Sequence, residues 1–414
     1  MNKNNAFALA AATLMSATQI EVASAADWSQ ELSTFSFKES DNRVTDTSIK
    51  YAGKGSFNDG DTLLNLDLGV DVLTGASPTG ALPSDGTTTV ITSPSGGKTT
   101  TNTSSKLDKA SFKDKRYSFS IGVDRALKDT GTRANLGASY SKENDYKHLG
   151  ISSGLSHEFN QKNTTLSAGI AYSSDTINPV GGTPSPLTTK GTPTTNNNQS
   201  KKTTDFIVGA TQVLSKNAIA QANYGISRQT GYLNDPYKLI SVIDSNGKLI
   251  RNIHESRPST RLGHNLYGAL KYSLPNKNVI TSTARLHTDD WGINSVTSEL
   301  KYRMQLANKN SIEPYIRFYH QTSADFYNTH LVDKQNTANH ASADYRLAEM
   351  STYTVGATYR MKTSSKKEWS LTGEFYKQVP GKIGFGEEEN EGGSGKSVNN
   401  PGFNAFMLSL GVKF

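Results

Sequence analysis

The stretch RLHTDDWGINS, Arg285 to Ser295, gathers the densest set of groups able to do chemistry. Arg285, His287 and Asp289 stand two residues apart, so on a β-strand all three point the same way, with Ala284 and Leu286 on the opposite face. Asp290, Trp291 and Gly292 then turn the chain. An imidazole beside a carboxylate can activate water as a general base, the chemistry of an Asp/His hydrolase at a barrel mouth. Such an enzyme needs further groups converging on His287, and spacing alone places no second carboxylate pair opposite it. The plainer reading of the same residues is a salt-bridged, hydrogen-bonded wall of a polar interior. A serine nucleophile is poorly provided for. GISSG (Gly150 to Gly154) puts Ser152 and Ser153 inside an alternating strand, without the strand-turn-helix elbow that such a serine requires. No glycine string follows phosphate-loop spacing. The loop GEEENEGGSGK (Gly386 to Lys396) could offer Glu387, Glu388, Glu389 and Glu391 to a cation, but it lacks EF-hand spacing and reads as a solvated surface loop. No catalytic residue, metal or cofactor is therefore expected.

The elements that must position these residues are strands. TLLNLDLGVDVL (Thr62 to Leu73) puts Leu64, Leu66, Leu68, Val70 and Val72 on one face and Asn65, Asp67, Gly69 and Asp71 on the other. LGISSGLSHEF (Leu149 to Phe159) and VTSELKYRMQL (Val296 to Leu306) repeat the pattern. Segments of about ten residues with aromatics near their ends suit a lipid-facing band between aromatic girdles. The periodicity predicts about sixteen strands (14–16): 30–40, 43–56, 61–75, 110–127, 131–143, 146–159, 163–176, 203–215, 217–230, 260–274, 277–289, 294–306, 310–323, 349–362, 366–379 and 402–414. Short connections with turn chemistry, such as NDG near Asn58 and NQKN at Asn160, alternate with long ones at 76–109, 177–202, 231–259, 324–348 and 380–401. Every long connection falls on the same parity, as a barrel with short periplasmic turns and long extracellular loops requires. The loops near 76–109 and 177–202 are Thr-, Pro-, Gly- and Ser-rich and are expected to be mobile and solvated. The fold class expected is all-β, a transmembrane antiparallel up-and-down β-barrel.

The N-terminus sets the compartment. Lys3, the apolar run AFALAAATLM (Ala6 to Met15) and the small-residue site ASA (Ala23 to Ala25) read as a secretory signal peptide over 1–25, leaving 26–414 as the barrel. The 414 residues contain no cysteine, which excludes a thiol nucleophile, a disulfide and a lipoprotein anchor. Hydrophobic residues make up only 34%, and no later run approaches the ~20 apolar residues of a spanning helix. A barrel hides its apolar half in every second residue, so the polar composition does not argue for a soluble chain. Net charge is +7, from 44 Lys and Arg against 37 Asp and Glu. The cations are scattered rather than striped, so nucleic acid is not an expected partner. Their excess leans towards anionic solutes and lipopolysaccharide phosphates.

The last strand, GFNAFMLSLGVKF, carries Phe406, Leu408, Leu410, Val412 and Phe414 on one face. In water that apolar edge would be a hazard. In a barrel it faces lipid and pairs with the first strand, and a terminal Phe resembles the signal read by the barrel-insertion machinery of Gram-negative bacteria. A soluble β-sandwich or adhesin would leave this terminus unexplained.

Several strings together, TDFIVGATQVLSKNAIAQANYGISRQTGYLNDPYKLISV, ESRP, DDWGINS, SADFY and SADYRL, resemble a family of exported bacterial outer-membrane barrels catalogued as a domain of unknown function. The match is strongest from Thr204 to Leu347. The resemblance implies an outer-membrane barrel and no established activity. It also implies an association with genes that attach flavin to exported proteins, and so the alternative of a scaffold barrel serving an exported redox system, although no residues here form a recognisable flavin site. The shared motifs fall in or beside the long loops, placing Arg257, Asp290, Trp291, Asp325, Tyr327, Asp344 and Arg346 at the mouth. Such loops either constrict the lumen or brace the rim. The function expected is a porin-like channel or transport component for a small hydrophilic solute, with the barrel-mouth hydrolase as the competing reading.

Overall fold

The computed structural model describes residues 28–41, 43–82, 89–92, 98–101, 109–195, 198–333, 339–364, 367–381 and 402–414. The segment 1–25, expected from sequence to be a signal peptide, the acidic loop around Glu387 and most of the 76–109 loop lie outside these residues. The strands in chain order are β1 (Trp28–Glu39), β2 (Val44–Phe57), β3 (Thr62–Pro78), β4 (Thr89–Thr92), β5 (Lys98–Thr101), β6 (Lys109–Leu127), β7 (Thr132–Lys142), β8 (Tyr146–Phe159), β9 (Thr164–Ile177) and β10 (Gln199–Ser215). There follow β11 (Ala218–Gly231), β12 (Leu239–Ile243), β13 (Leu249–His254), β14 (Thr260–Ser273), β15 (Val279–Asp289), β16 (Asn294–Gln305), β17 (Ser311–Gln321), β18 (His330–Val332), β19 (Met350–Ser364), β20 (Lys367–Pro380) and β21 (Phe403–Lys413). Sixteen of them close into one antiparallel barrel, each pairing with its neighbours in order. The expected strands match these sixteen to within a few residues at their ends.

Closure joins the two ends of the chain. β21 pairs with β1, setting Leu410 opposite Thr34 and Phe406 opposite Lys38. Beyond the last paired residue, Phe414 N–H donates to Gln30 O at 2.9 Å and Gln30 N–H to Phe414 O at 2.8 Å. No edge is left unpaired at the seam, which removes the hazard of an apolar terminal strand.

The barrel is inside-out relative to a soluble protein. On β8, Leu149, Ile151 and Leu155 are 55–60% exposed, whereas Ser152 and Ser156 between them are buried. The same inversion runs round the wall, with Leu286, Ile316, Val355 and Leu408 outward and Asp71, Asn135, Ser173 and Asp205 inward. Among the described residues no helix is long and apolar enough to cross a membrane. A closed sheet satisfies its own backbone, and its apolar exterior needs lipid. The protein is an outer-membrane β-barrel with lipid against its outer face.

The two ends differ. The short turns reverse through left-handed residues such as Asn58, Asp59, Asp129, Asn160 and Lys277, mostly short polar side chains that tolerate positive φ. The other end carries the long loops, and there a second small sheet forms, in the order β13-β12-β18 with β12 and β18 parallel. The described stretches of the Thr- and Pro-rich loops touch this small sheet. Leu239 N–H donates to Thr79 O, Leu82 N–H to Ser241 Oγ and Lys190 N–H to Asn252 O, each at 2.8–2.9 Å. Leu187 packs on the buried cluster of Ile240, Val242, Ile253 and Leu331. Their composition offers little to bury, and these contacts to the small sheet are mostly backbone hydrogen bonds.

Candidate functional site

The loop 232–259 and the stretches 322–333 and 339–349 form a cap over the mouth. Its ordering begins with DDWGINS. Asp289 Oδ1 accepts the N–H groups of Trp291 and Ile293 at 3.0 and 3.1 Å, fixing the turn. Gly292 has φ +83°, and a Cβ there would fall 2.1 Å from Asp325 Oδ1, so the turn requires glycine at this position. Trp291 is thereby turned inward. It is 2% exposed, its Nε1–H donates to Thr260 O at 2.8 Å, and its ring meets Phe326 edge-on at 5.1 Å. Leu233, Ile293, Ala324 and Leu347 complete this cluster, with Tyr327 packed against it. Asp290 and Asp325 are exposed. Asp290 Oδ1 takes the N–H of Leu262 at 2.9 Å, and Asp325 N–H donates to Trp291 O at 2.9 Å.

SADFY and SADYRL lie side by side. Ser342 N–H donates to Phe326 O at 3.1 Å, Asn328 N–H to Ser342 O at 2.9 Å and Ala324 N–H to Leu347 O at 2.8 Å. Their middle carboxylates have opposite fates. Asp325 stays at the surface, whereas Asp344 is buried at the centre of an ion cluster. Arg257 Nη2 reaches Asp344 at 2.7 Å and Glu255 at 2.9 Å. Arg346 Nε donates to both Asp344 oxygens at 2.9 Å, and its Nη2 pairs with Asp235. Lys238 Nζ stands 3.9 Å from Asp344 and donates to Pro78 O at 2.5 Å. Ser342 Oγ donates to Glu255. Burial would raise Asp344, but the charges of Arg346, Lys238 and Arg257 outweigh it and hold the carboxyl well below its usual range. Arg346 and Lys238 likewise overcome burial to hold Asp235 down. Three cations and three carboxylates thus fasten the cap. Arg257, Asp344 and Arg346 were singled out from sequence, while Glu255, Asp235 and Lys238 were not.

Beneath the cap is a cavity of about 600 Å³. Arg257, Asp344 and Arg346 form its roof, and the inward faces of β14–β17, β19 and β20 form its wall. Among the described residues, five arginines line it against two carboxylates, Asp344 and Glu374. Arg285 and His287 belong to this wall. Arg285 donates to Asn265 Oδ1 at 2.7 and 3.1 Å. His287 Nδ1 meets the same Oδ1 at 3.1 Å, and its Nε2 meets Asp289 Oδ2 at 3.2 Å. Asp289 also holds Arg261, whose guanidinium lies 4.6 Å over the Trp291 ring. Both ring nitrogens of His287 face oxygen acceptors, so neither is placed to take a proton from water. This pair does not have the geometry of a hydrolytic base.

A second cavity, about 220 Å³, lies against β6–β11 and shares Trp291 and Arg346 with the cap. His148 and Asp175 in its wall belong to a row that sequence did not reveal: Ser139 Oγ, outside the cavity lining, lies 3.1 Å from His148 Nε2, and His148 Nδ1 lies 2.7 Å from Asp175. Asp175 is also paired with Lys201 at 2.8 Å and takes the Tyr146 hydroxyl. The order is that of a hydrolase, yet Ser139 is buried and Asp175 is shared three ways, so the row is an interior hydrogen-bond network.

The model of the family described as "Protein of unknown function (DUF3570)" matches residues 4–414. The chain belongs to the DUF3570 family. No curated protein matches it. Among solved structures, this DUF3570 barrel is similar to the outer membrane protein opdK from Pseudomonas aeruginosa, at 9% identity over 94% of this chain and 98% of that one, TM-score 0.40. It is also similar to CdiB from Acinetobacter baumannii (8%, 93% and 60%, 0.46) and to a bacterial polysaccharide outer membrane secretin (6%, 94% and 97%, 0.47). At such scores nothing carries over from those proteins to this one.

Proposed function

We propose that this protein is an outer-membrane channel for small hydrophilic solutes, closed at its extracellular mouth by the ion-fastened cap and selective for anions. One observation carries the reading: the chamber under the cap presents Arg261, Arg285, Arg317 and His287 on a wall that faces the barrel interior. Sixteen strands enclose room for water as well as side chains. A chamber of about 600 Å³ suits a small organic anion, and guanidinium groups recognise carboxylates through paired hydrogen bonds. Export through the 1–25 segment and recognition of the Phe414 strand by the insertion machinery belong to the same proposal. Swelling of proteoliposomes tests it. Vesicles carrying the barrel should swell faster in a small organic acid salt than in a neutral sugar of equal size. Equal rates would remove the anion preference. No swelling with either solute, even after the cap is loosened by Asp344→Asn, would remove the channel.

A further inference from the structure

At the rim across from the cationic chamber, three carboxylates crowd together. Asp114 lies near the mouth end of β6, and Glu143 and Asp145 bracket the turn between β7 and β8. One oxygen from each lies within 4.8 Å of the others. The three residues are 6%, 8% and 7% exposed, so all are more than nine-tenths buried. Two have donors. Asp114 Oδ1 accepts the N–H of Lys115 at 2.8 Å and of Asn144 at 3.4 Å, and Asp145 Oδ2 accepts the Tyr237 hydroxyl at 2.6 Å. Glu143 differs, because its Oε2 is buried and no hydrogen-bond donor among the described residues meets it. Such an atom needs an explanation in a native structure. The nearby cation, Arg116, is engaged by Asp71 at 2.7 Å.

We propose that Asp114, Glu143 and Asp145 form a divalent-cation site of the calcium class at the extracellular mouth. The donors are oxygen only, which suits a hard cation rather than zinc or copper. A bound ion would give Glu143 Oε2 its missing partner and cancel the repulsion among the three carboxylates. Glu143 and Asp145 also line the 220 Å³ cavity, which leaves space for water to complete the coordination shell. The site is tied to the cap through Tyr237, which belongs to the 232–238 segment. A filled site fastens the cap to the β6–β8 wall. This last consequence rests on the reading of the cap as a closure, whereas the binding itself does not.

The test uses the full chain refolded in non-ionic detergent free of lipopolysaccharide, with terbium as the probe and Tyr237 as its sensitiser. Saturable emission from one equivalent of terbium is expected, displaced by calcium with an apparent Kd of about 0.1–1 mM, the range of extracellular calcium modules. Glu143→Gln should weaken calcium at least tenfold, and the Asp114→Asn/Asp145→Asn pair should abolish it, with the gel shift on boiling showing that both variants remain folded. Unsaturable emission, or unchanged affinity in these variants, would overturn the site. So would loss of emission only when Glu387, Glu388, Glu389 and Glu391 are changed to Gln. Calcium should also slow hydrogen exchange in 232–238. Binding without that slowing would overturn the fastening of the cap and leave the site standing.

Discussion

Asp344→Asn isolates the ion cluster from everything else in the molecule. The substitution keeps the side chain's volume and removes one charge. Arg257, Arg346 and Lys238 would then face Glu255 and Asp235 alone, three cations against two carboxylates. Arg257 and Asp344 side chains are 2% and 0% exposed, so the stranded charge has no water to turn to. Breaking one partner out of a buried pair costs about 3–5 kcal/mol, which is roughly a 10²- to 10³-fold or greater shift towards the opened cap. The barrel's ladders contain none of these six residues, so the gel shift on boiling should be unchanged. Hydrogen exchange by mass spectrometry should show loss of protection confined to 232–258 and 339–348. The double variant Asp344→Asn/Arg346→Gln restores two cations against two carboxylates and should recover part of the loss. Unchanged protection in the single variant would refute the idea that this cluster holds the cap shut.

Acid should act on the same cluster. Asp344 and Asp235 are held below their unfolded range, so each stabilises the closed cap above about pH 4 and loses that contribution as the pH falls further; a current no larger at pH 3 than at pH 7 would break this link. Ala284 faces outward near the middle of β15, and Ala284→Arg should destabilise the barrel by roughly 2–4 kcal/mol in urea unfolding from lipid vesicles. Arg285→Ala on the inward face should cost the barrel far less, and the reverse ranking would exchange the inner and outer faces. Deleting Phe414 removes the two backbone hydrogen bonds to Gln30 and an outward aromatic, so assembled barrel in the membrane fraction should fall well below that of a Thr100→Asp variant. Equal yields would deny Phe414 its part in assembly.

The wall was legible because its code is local. Alternation along β8 or β21 can be read within ten residues, and turns such as the one at Asn58–Gly60 announce themselves by residue type. The parity of Arg285 and His287 follows from the same period of two. The cap was not legible, because its contacts span the chain. Arg257 and Asp344 are 87 residues apart, and Arg346 and Asp235 are 111 apart. β12 is buried at all five positions, so no alternation marks it as a strand, and its partner β18 has only three residues. SADFY and SADYRL share three letters, yet contacts with Arg257, Arg346 and Lys238 bury Asp344 while Asp325 stays exposed. The carboxylates of Asp114, Glu143 and Asp145 meet only once the β6–β7–β8 register is set.

The reversal potential of the purified barrel in a planar bilayer, under a salt gradient, decides between an anion channel and any other use of this fold. It should be recorded for the native chain, for Asp344→Asn and for Arg285→Gln/Arg317→Gln on the Asp344→Asn background. The expected result is larger current on loosening the cap, with the sign of anion selectivity, and a shift towards zero when the two arginines are neutralised. A cation-selective potential, or a bilayer that stays silent with the cap loosened, would contradict the assignment.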